Sequence, residues 1–411
     1  MSSGDIFLAR QPILDPAQKI VAYELLFRGS QANFAQIDNE LHATAHVMMS
    51  LFNEMGLQSV LGKERGFINV DAEMLMSDMI HLLPHDQIVI ELLETIVITP
   101  PILARCRQLK EEGFSLALDD FAVMQEQYRE LLPIIDIIKV DLMQVPSGTL
   151  AQTIKKLWIY PAKLLAEKVE TREDFETCKK LGFHYFQGYY FAKPVILSGK
   201  RAEPATIALF KLLSLILDDA ATGDLETAVK NDSNLTYNLL KLVNSVGVGA
   251  GQKVDTLAKA IMIIGRRQLQ RWLQLLLYSI NDSSQTSNPL MQLAATRAKI
   301  LEIVCRCMHN QDTVLEERAF IVGSFSLLDT LLSMPMTDIM DKLSLHEDVK
   351  IALTQRAGPL GQMLILVESL EVGNFDGVAE QLKHFPNLTV ASLNDAQMAA
   401  IRWVDSLSES K

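Results

Sequence analysis

Over its first 190 residues the chain alternates short apolar runs with stretches in which apolar residues recur every three or four positions. Residues 6–10 and 19–27 are two such runs, separated by the turn signal Asp15-Pro16, and they predict an opening β-hairpin. A helical pattern over 38–56 follows, with Met48, Met49, Leu51 and Phe52 as a core stripe. Six further strands are predicted at Gly66–Val70, Gln87–Leu93, Ser115–Phe121, Ile134–Val140, Lys163–Val169 and His184–Phe191. Helical periodicity lies between most of them, over 100–113, 124–132, 147–158 and 171–182. Strand and helix in alternation imply a parallel sheet, and this many repeats close it, or nearly close it, into a barrel.

The pattern changes after Pro194. Residues 194–204 have loop composition, with Ser198-Gly199-Lys200 as a linker, and no strand pattern competes beyond it. Helices are predicted over 204–218, 224–231, 235–245, 255–265, 267–280, 289–309, 312–333 and 345–357, with Gly265 as a stop. The expected organisation is α/β plus all-α: a TIM-like (β/α) barrel over 1–196, a linker over 197–204, and an all-helical domain over 205–411.

Composition narrows the partners. Of 38 Lys/Arg and 50 Asp/Glu, 18 and 26 fall within 1–196, leaving 20 and 24 beyond, so neither half is basic. A phosphate-tracking surface for DNA or RNA is therefore not expected. A phosphorylated ligand can still bind an acidic protein through metal ions. No apolar run is long enough to span a membrane and the start lacks a signal-peptide layout, which predicts a cytoplasmic protein. Cys305-Arg306-Cys307 reads as a metal pair or, more simply, as two helix thiols.

Candidate chemistry lies at the strand ends. Asp119-Asp120 follows the apolar run Leu116-Ala117-Leu118, where an Asp helix cap with a solvated neighbour would be the plain account. The same layout recurs, however, at Glu24 and Arg28, at Asn69 and Asp71, at Glu91 and Glu94, at Lys139 and Asp141, at Glu167 and Glu170, and at Gln187. In a βα barrel these ends converge on one face. So many carboxylates at one mouth repel unless cations sit among them, which points to hard divalent ions and in-line phosphodiester hydrolysis. A metal-free pair such as Glu91 and Glu167 acting on a glycoside is the rival, and it leaves the Asp119-Asp120 pair without a role.

Glu24-Leu-Leu-Phe-Arg28, Asn69 in FINVD, Glu91-Leu-Leu-Glu94, Asp119-Asp120-Phe121, IIKVD ending at Asp141, AEKVET and QGYYFAKP together resemble the EAL domain, the barrel that hydrolyses cyclic di-GMP to its linear dinucleotide. The resemblance implies Glu24, Asn69, Glu91 and Asp119 as ligands of one Mg²⁺ or Mn²⁺ ion, and Asp119, Asp120 and Glu167 as ligands of a second. It implies Lys139 as the contact of the attacking water, Gln187 as an orienting residue, and Asp141 as a supporting carboxylate. Gln11 and Arg28 are implied as ligand contacts, and Glu94 and Glu170 as outer positions, one anchoring the loop after the double Asp. It also implies a homodimer through the barrel.

Departures are visible. Leu25 replaces an alanine, Lys168 stands at a glycine position beside Glu167, and the glycine-containing loop after Asp120 is replaced by Ala122 to Tyr128, which reads as the start of a helix. In the second half, NDSNLTYNLLKLVNSVGVG and TLAKAIMIIGRRQLQRWL resemble the HDOD domain, a helical relative of the His-Asp phosphohydrolases. Only His309, His346 and His384 occur there, so the resemblance implies a regulatory module with a protein partner, not a metal site. Arg266, Arg267 and Arg271 read as a solvated helix face or a ligand site. The function implied is a cyclic di-GMP phosphodiesterase under control of the helical domain. The alternatives are a receptor without turnover and an interaction scaffold.

Overall fold

The computed structural model describes residues 6–29, 60–146, 148–188, 204–230, 235–236, 239, 256–277, 289–308, 312–332, 334–343 and 345–409. The helix expected over 38–56 and the linker expected over 197–204 lie outside these residues, apart from Pro204.

β1 (Ile6–Leu14) and β2 (Ile20–Gly29) form the predicted hairpin. The Asp15 carboxylate accepts the N–H groups of Ala17 at 2.8 Å and Lys19 at 2.9 Å, and Gln18 takes a left-handed φ of 62°, so the turn is built by Asp15. β3 (Arg65–Val70), β4 (Ile88–Leu92), β5 (Ser115–Phe121), β6 (Ile137–Asp141), β7 (Lys163–Glu167) and β8 (Tyr185–Phe186) then pair in parallel from β2 onward. Pairing of Leu14 with Phe186 closes the barrel, with β1 antiparallel to both neighbours. Ile13, Ala22, Phe67, Val89, Ala117, Ile137 and Leu165, one from each of β1 to β7, form an apolar layer across the interior. This is the packed core of a closed barrel, not a pore.

Crossovers run through α1 (Ala72–Met76), α2 (Pro100–Glu111), α3 (Leu150–Leu157) and α4 (Arg172–Lys180). The last starts on a capping box in which Thr171 accepts from the Asp174 N–H and Asp174 accepts from the Thr171 N–H. The helix expected over 124–132 is absent. The chain after β5 instead makes a single 3₁₀ turn at Glu126–Tyr128 and further turns up to Ile135. Tyr128, Leu131 and Leu132 are buried and Pro133 follows, so the periodic apolar positions are used up by a tight turn that Pro disfavours extending as helix.

The chain divides into two compact units, and the division does not follow a single boundary near residue 200. Glu368–Met398 groups with Met1–Lys193, while Pro194–Val367 and Ala399–Lys411 form the second unit. Within the first unit Phe375 stacks on Phe7 with ring centroids 5.7 Å apart, and Gln397 Nε2 donates to the Leu8 carbonyl at 3.1 Å. A turn, not a crossover helix, joins β1 to β2, so a distant segment covers part of that hairpin.

The second unit is helical among its described residues. α5 (Pro204–Leu217), α6 (Thr222–Lys230) and α7 (Leu257–Leu276) are followed by α8 (Pro289–Met308) and α9 (Thr313–Phe325). Gly265, at φ 74° and ψ 157°, breaks α7 where the sequence expects a stop. The helix expected over 312–333 is likewise two, with α10 at Leu328–Leu332. α11 (Met336–Met340), α12 (Glu347–Gln355) and most of α13 (Gly358–Glu371) follow in this unit, whereas α14 (Phe375–Leu382) and the start of α15 (Val390–Glu409) belong to the segment grouped with the first. Arg271 bonds Glu302 at 2.8 Å and Glu317 at 3.2 Å with its guanidinium over the Phe320 ring, and Arg267 pairs with Glu317. Arg271 is therefore held in a buried ion-pair network, while Arg267 stays exposed and Arg266, half-buried, pairs with the exposed Asp219, so part of the cluster is the solvated face expected. Cys305 is buried with its thiol pushed up to about 12 by burial, whereas Cys307 is exposed, so the two do not form a metal pair. Among the described residues no helix is long and apolar enough to cross a membrane.

Candidate functional site at the carboxyl ends of the strands

Side chains on a strand return to the same face every second residue. Moving two residues from the apolar layer toward the carboxyl ends of the parallel strands leads from Ala22 to Glu24, Phe67 to Asn69, Val89 to Glu91, Ala117 to Asp119, Ile137 to Lys139 and Leu165 to Glu167. On antiparallel β1 the same step runs backward, from Ile13 to Gln11, which is paired with Glu24 in register. Gln187 stands two residues beyond Tyr185 of β8, which packs on the same layer. One polar ring thus lies directly on one apolar ring.

Lys139 is the hub of that ring. Its ammonium is 2.9 Å from Asp119 Oδ1, 3.0 Å from Glu167 Oε1 and 3.5 Å from Glu24 Oε2, and it also pairs with Glu91. Gln187 Nε2 donates to Glu24 Oε2 at 2.6 Å and Gln11 Oε1 at 2.9 Å, and Asn69 Nδ2 donates to Glu24 Oε1 at 3.2 Å. Four carboxyl groups share one buried ammonium, and their ionisation reflects it. Burial pushes Glu91 well above the usual carboxylate range against the pull of Lys139, and pushes Glu167 up to about 8. For Asp119, burial is outweighed by Lys139 and the hydrogen bond with Glu91, and its carboxyl is held low. Lys139 is disfavoured by burial, yet the surrounding carboxylates hold its pKa well above the ordinary lysine value.

The second aspartate reaches the site by a different route. A residue next to Asp119 on a regular strand would face away, but the β5–β6 register shifts between Leu118 and Phe121 and Asp120 takes φ 44°. The bulge turns its carboxylate toward the same mouth. Oxygens of Glu94, Asp119 and Asp120 lie within 4.8 Å of one another, a spacing suited to a shared cation. Burial and the Asp119 charge raise Asp120 above its usual range. Asp141, fully buried, accepts from Met143 N at 2.8 Å, and Lys168 Nζ sits between Asp141 Oδ2 at 2.5 Å and Asp120 Oδ1 at 3.3 Å.

Every implied ligand of the metal pair is therefore part of, or adjoins, one polar cluster. Glu94, expected in an outer role, joins the double Asp, and its charge also acts on the Tyr128 hydroxyl. Glu170 is exposed, and its N–H donates to Asp174 at 3.3 Å. The side chain of Arg28 lies outside the described residues. Sequence spacing missed the link between Lys168, just past the end of β7, and Asp141 at the end of β6, 27 residues apart.

The donor set fits hard cations. Asn69 Oδ1, Glu91 Oε2, Glu167 Oε2 and Gln187 Oε1 are buried without a hydrogen-bond partner. Orphaned buried polar atoms are costly, and all four here are oxygens of the kind that ligate divalent ions. They come from four different strands or strand ends, so no sequence-local rearrangement satisfies them together.

This fold and site define a class, an EAL barrel joined to an HDOD domain. The EAL domain family model matches residues 1–194 and the HDOD domain model residues 208–343. The chain is 30% identical over 415 aligned positions to the uncharacterized protein YuxH of Bacillus subtilis, covering 99% of this chain and 100% of that one. It is 31% identical to the cyclic di-GMP phosphodiesterase CdgJ of Vibrio cholerae, over 98% of this chain and 93% of the relative. The chain belongs to the family of EAL-domain proteins that carry an HDOD domain. Among solved structures, a calcium and cyclic di-GMP complex of Klebsiella pneumoniae BlrP1 is 26% identical over 46% of this chain and 55% of that one, with a TM-score of 0.38.

Proposed function

We propose that the barrel hydrolyses cyclic di-GMP to linear pGpG. The observation that carries this reading is the ring of Glu24, Asn69, Glu91, Asp119 and Glu167 around Lys139, with oxygens left unpartnered. The phosphodiesterase CdgJ, similar along nearly the whole chain, supports the choice of substrate. Glu24, Asn69, Glu91 and Asp119 would hold one Mg²⁺ or Mn²⁺ ion, and Asp119 with Asp120 and Glu167 a second. When bound, such ions supply positive charge at the phosphoryl oxygens and a more acidic water. Net chemistry adds water across one P–O3′ bond, with the 3′ oxygen taking a proton as it leaves.

The chain's own residues divide the remaining work. Lys139 donates from its ammonium to the incoming water and neutralises charge growing on the phosphoryl group. Gln187 fixes Gln11 and Glu24 through its amide, so it sets the orientation of the first ion's ligands. Glu167 holds a proton near neutrality until a cation arrives. Gln11 and Arg28 contact the dinucleotide, Asp141 supports Lys168, Glu94 supports the double Asp, and Glu170 stays peripheral. A barrel homodimer and a protein partner of the HDOD domain, setting activity, complete the reading on family likeness alone.

A second reading, a cyclic di-GMP receptor with little turnover, is favoured by Lys168 at Asp120 and by the tight turn that follows β5. One assay separates them. Purified protein with Mn²⁺ or Mg²⁺ is incubated with cyclic di-GMP beside Asp119→Asn, and pGpG is quantified by chromatography. Production by the native chain alone supports hydrolysis. Binding by calorimetry without pGpG, while an active phosphodiesterase works in the same buffer, overturns it in favour of the receptor.

A further inference from the structure

We propose that the Lys168 ammonium is a resident cation on the Asp120 side of the site, so that one divalent ion binds tightly at Glu24, Asn69, Glu91 and Asp119 and a second enters only by displacing Lys168. The inference rests on the metal centre proposed above and goes beyond it in assigning the two positions unequal affinity.

Three observations place Lys168 in this role. Its ammonium bridges Asp120 Oδ1 at 3.3 Å and Asp141 Oδ2 at 2.5 Å. Asp141 is itself fully buried, with its other oxygen taken by the N–H groups of Met143 at 2.8 Å and Gln144 at 3.3 Å, so the anchor cannot swing away. The backbone is bent to the purpose: Lys168 has φ 56° and Asp120 has φ 44°, left-handed conformations that non-glycine residues adopt at a cost. The Lys168 side chain is 45% exposed, so its ammonium can leave Asp120 while the buried Asp141 stays in place.

Unpartnered oxygens then separate the two positions. Around Lys139, four carboxyl groups crowd one ammonium, and Asn69 Oδ1 and Glu91 Oε2 remain buried without a partner that a dication would supply. On the other side Asp120 and Asp141 already share the Lys168 ammonium, which a dication on Asp120 would have to displace. Metal occupancy there requires Lys168 to leave Asp120 and keep only Asp141.

Manganese titration of the full chain, followed by electron paramagnetic resonance, tests this with native protein, Lys168→Gly and Lys168→Arg. Glycine suits the left-handed backbone, so the variant is not expected to unfold. The expected result is one tight ion in the native chain, with the second at least tenfold weaker. Lys168→Gly should take two ions of comparable affinity and show the spin-coupled signal of a pair sharing Asp119, and Lys168→Arg should behave as the native chain. Two equally tight, coupled ions in the native chain would overturn the inference and leave the metal centre standing. A single ion in all three proteins would overturn it as well. Absence of binding to any of them would remove the metal centre and this inference together.

Discussion

Lys139 Nζ lies 3.0 Å from Glu167 Oε1, yet Glu167 keeps its proton to about pH 8. Contact with an ammonium would ordinarily hold a carboxyl low. Here burial, and the charges of Asp119 and Glu24 around the same ammonium, prevail.

That relationship sets a pH dependence. Between the ordinary value of 4.5 and about 8, the unfolded chain has lost the Glu167 proton and the folded chain retains it. The folded state binds more protons in this window, so stability of the metal-free protein falls as pH rises through it. Urea titrations in EDTA at pH 6, 7, 8 and 9 should show a falling midpoint. Manganese at concentrations that fill the position held by Glu167 should flatten the trend, with release of about one proton as that ion binds near neutrality, read from titrations in buffers of different ionisation enthalpy.

Lys139→Met should be strongly destabilising without metal. Removing the hub leaves Glu24, Glu91, Asp119 and Glu167 facing one another in a buried space. Breaking a buried pair in this way costs about 3–5 kcal/mol. Added Mn²⁺ should recover part of the loss in stability, but not turnover. Equal unfolding midpoints for the variant and the native chain in EDTA would contradict the hub role.

Asp119→Asn keeps the shape of the side chain and removes the charge shared by both proposed ions. Turnover should drop by about two to three orders of magnitude, while the circular dichroism spectrum stays native. A variant retaining more than a tenth of native activity would place the chemistry elsewhere.

Gly188→Ala should damage the site without touching a ligand. Gly188 has φ 151°, and a Cβ there would lie 2.3 Å from the Val169 nitrogen, whose N–H donates to the Gln187 carbonyl at 3.0 Å. The clash is with backbone and cannot be relieved by a rotamer change. A loss of about 1–3 kcal/mol is expected, together with weaker Mn²⁺ binding because Gln187 orients Glu24.

Phe375→Ala tests the segment that returns to the barrel. Phe375 is buried against Phe7, and truncating a buried Phe costs about 3–5 kcal/mol. Thermal unfolding should shift down accordingly, with Phe375→Leu losing less.

Much of the barrel was legible in the residues because strand and helix periods differ and because ring positions recur every second residue. Glu24, Asn69, Glu91, Asp119, Lys139 and Glu167 each stand at the end of an apolar run, so their convergence follows once the sheet closes. Family likeness added their roles; spacing alone left a glycosidase pair open. The turn after Asp120 misread as helix because Tyr128, Leu131 and Leu132 carry helical spacing, while Pro133 and burial on the barrel decide otherwise. Only the tertiary structure brought Asp120 back to the mouth through a bulge, set Lys168 between Asp120 and Asp141, and joined Glu368–Met398 to the hairpin. Local pattern is a property of neighbours in the chain, and so determined which strands form and which residues end them. Ion pairs and buried stacks depend on register, backbone strain and residues hundreds of positions apart, and those exist only after closure.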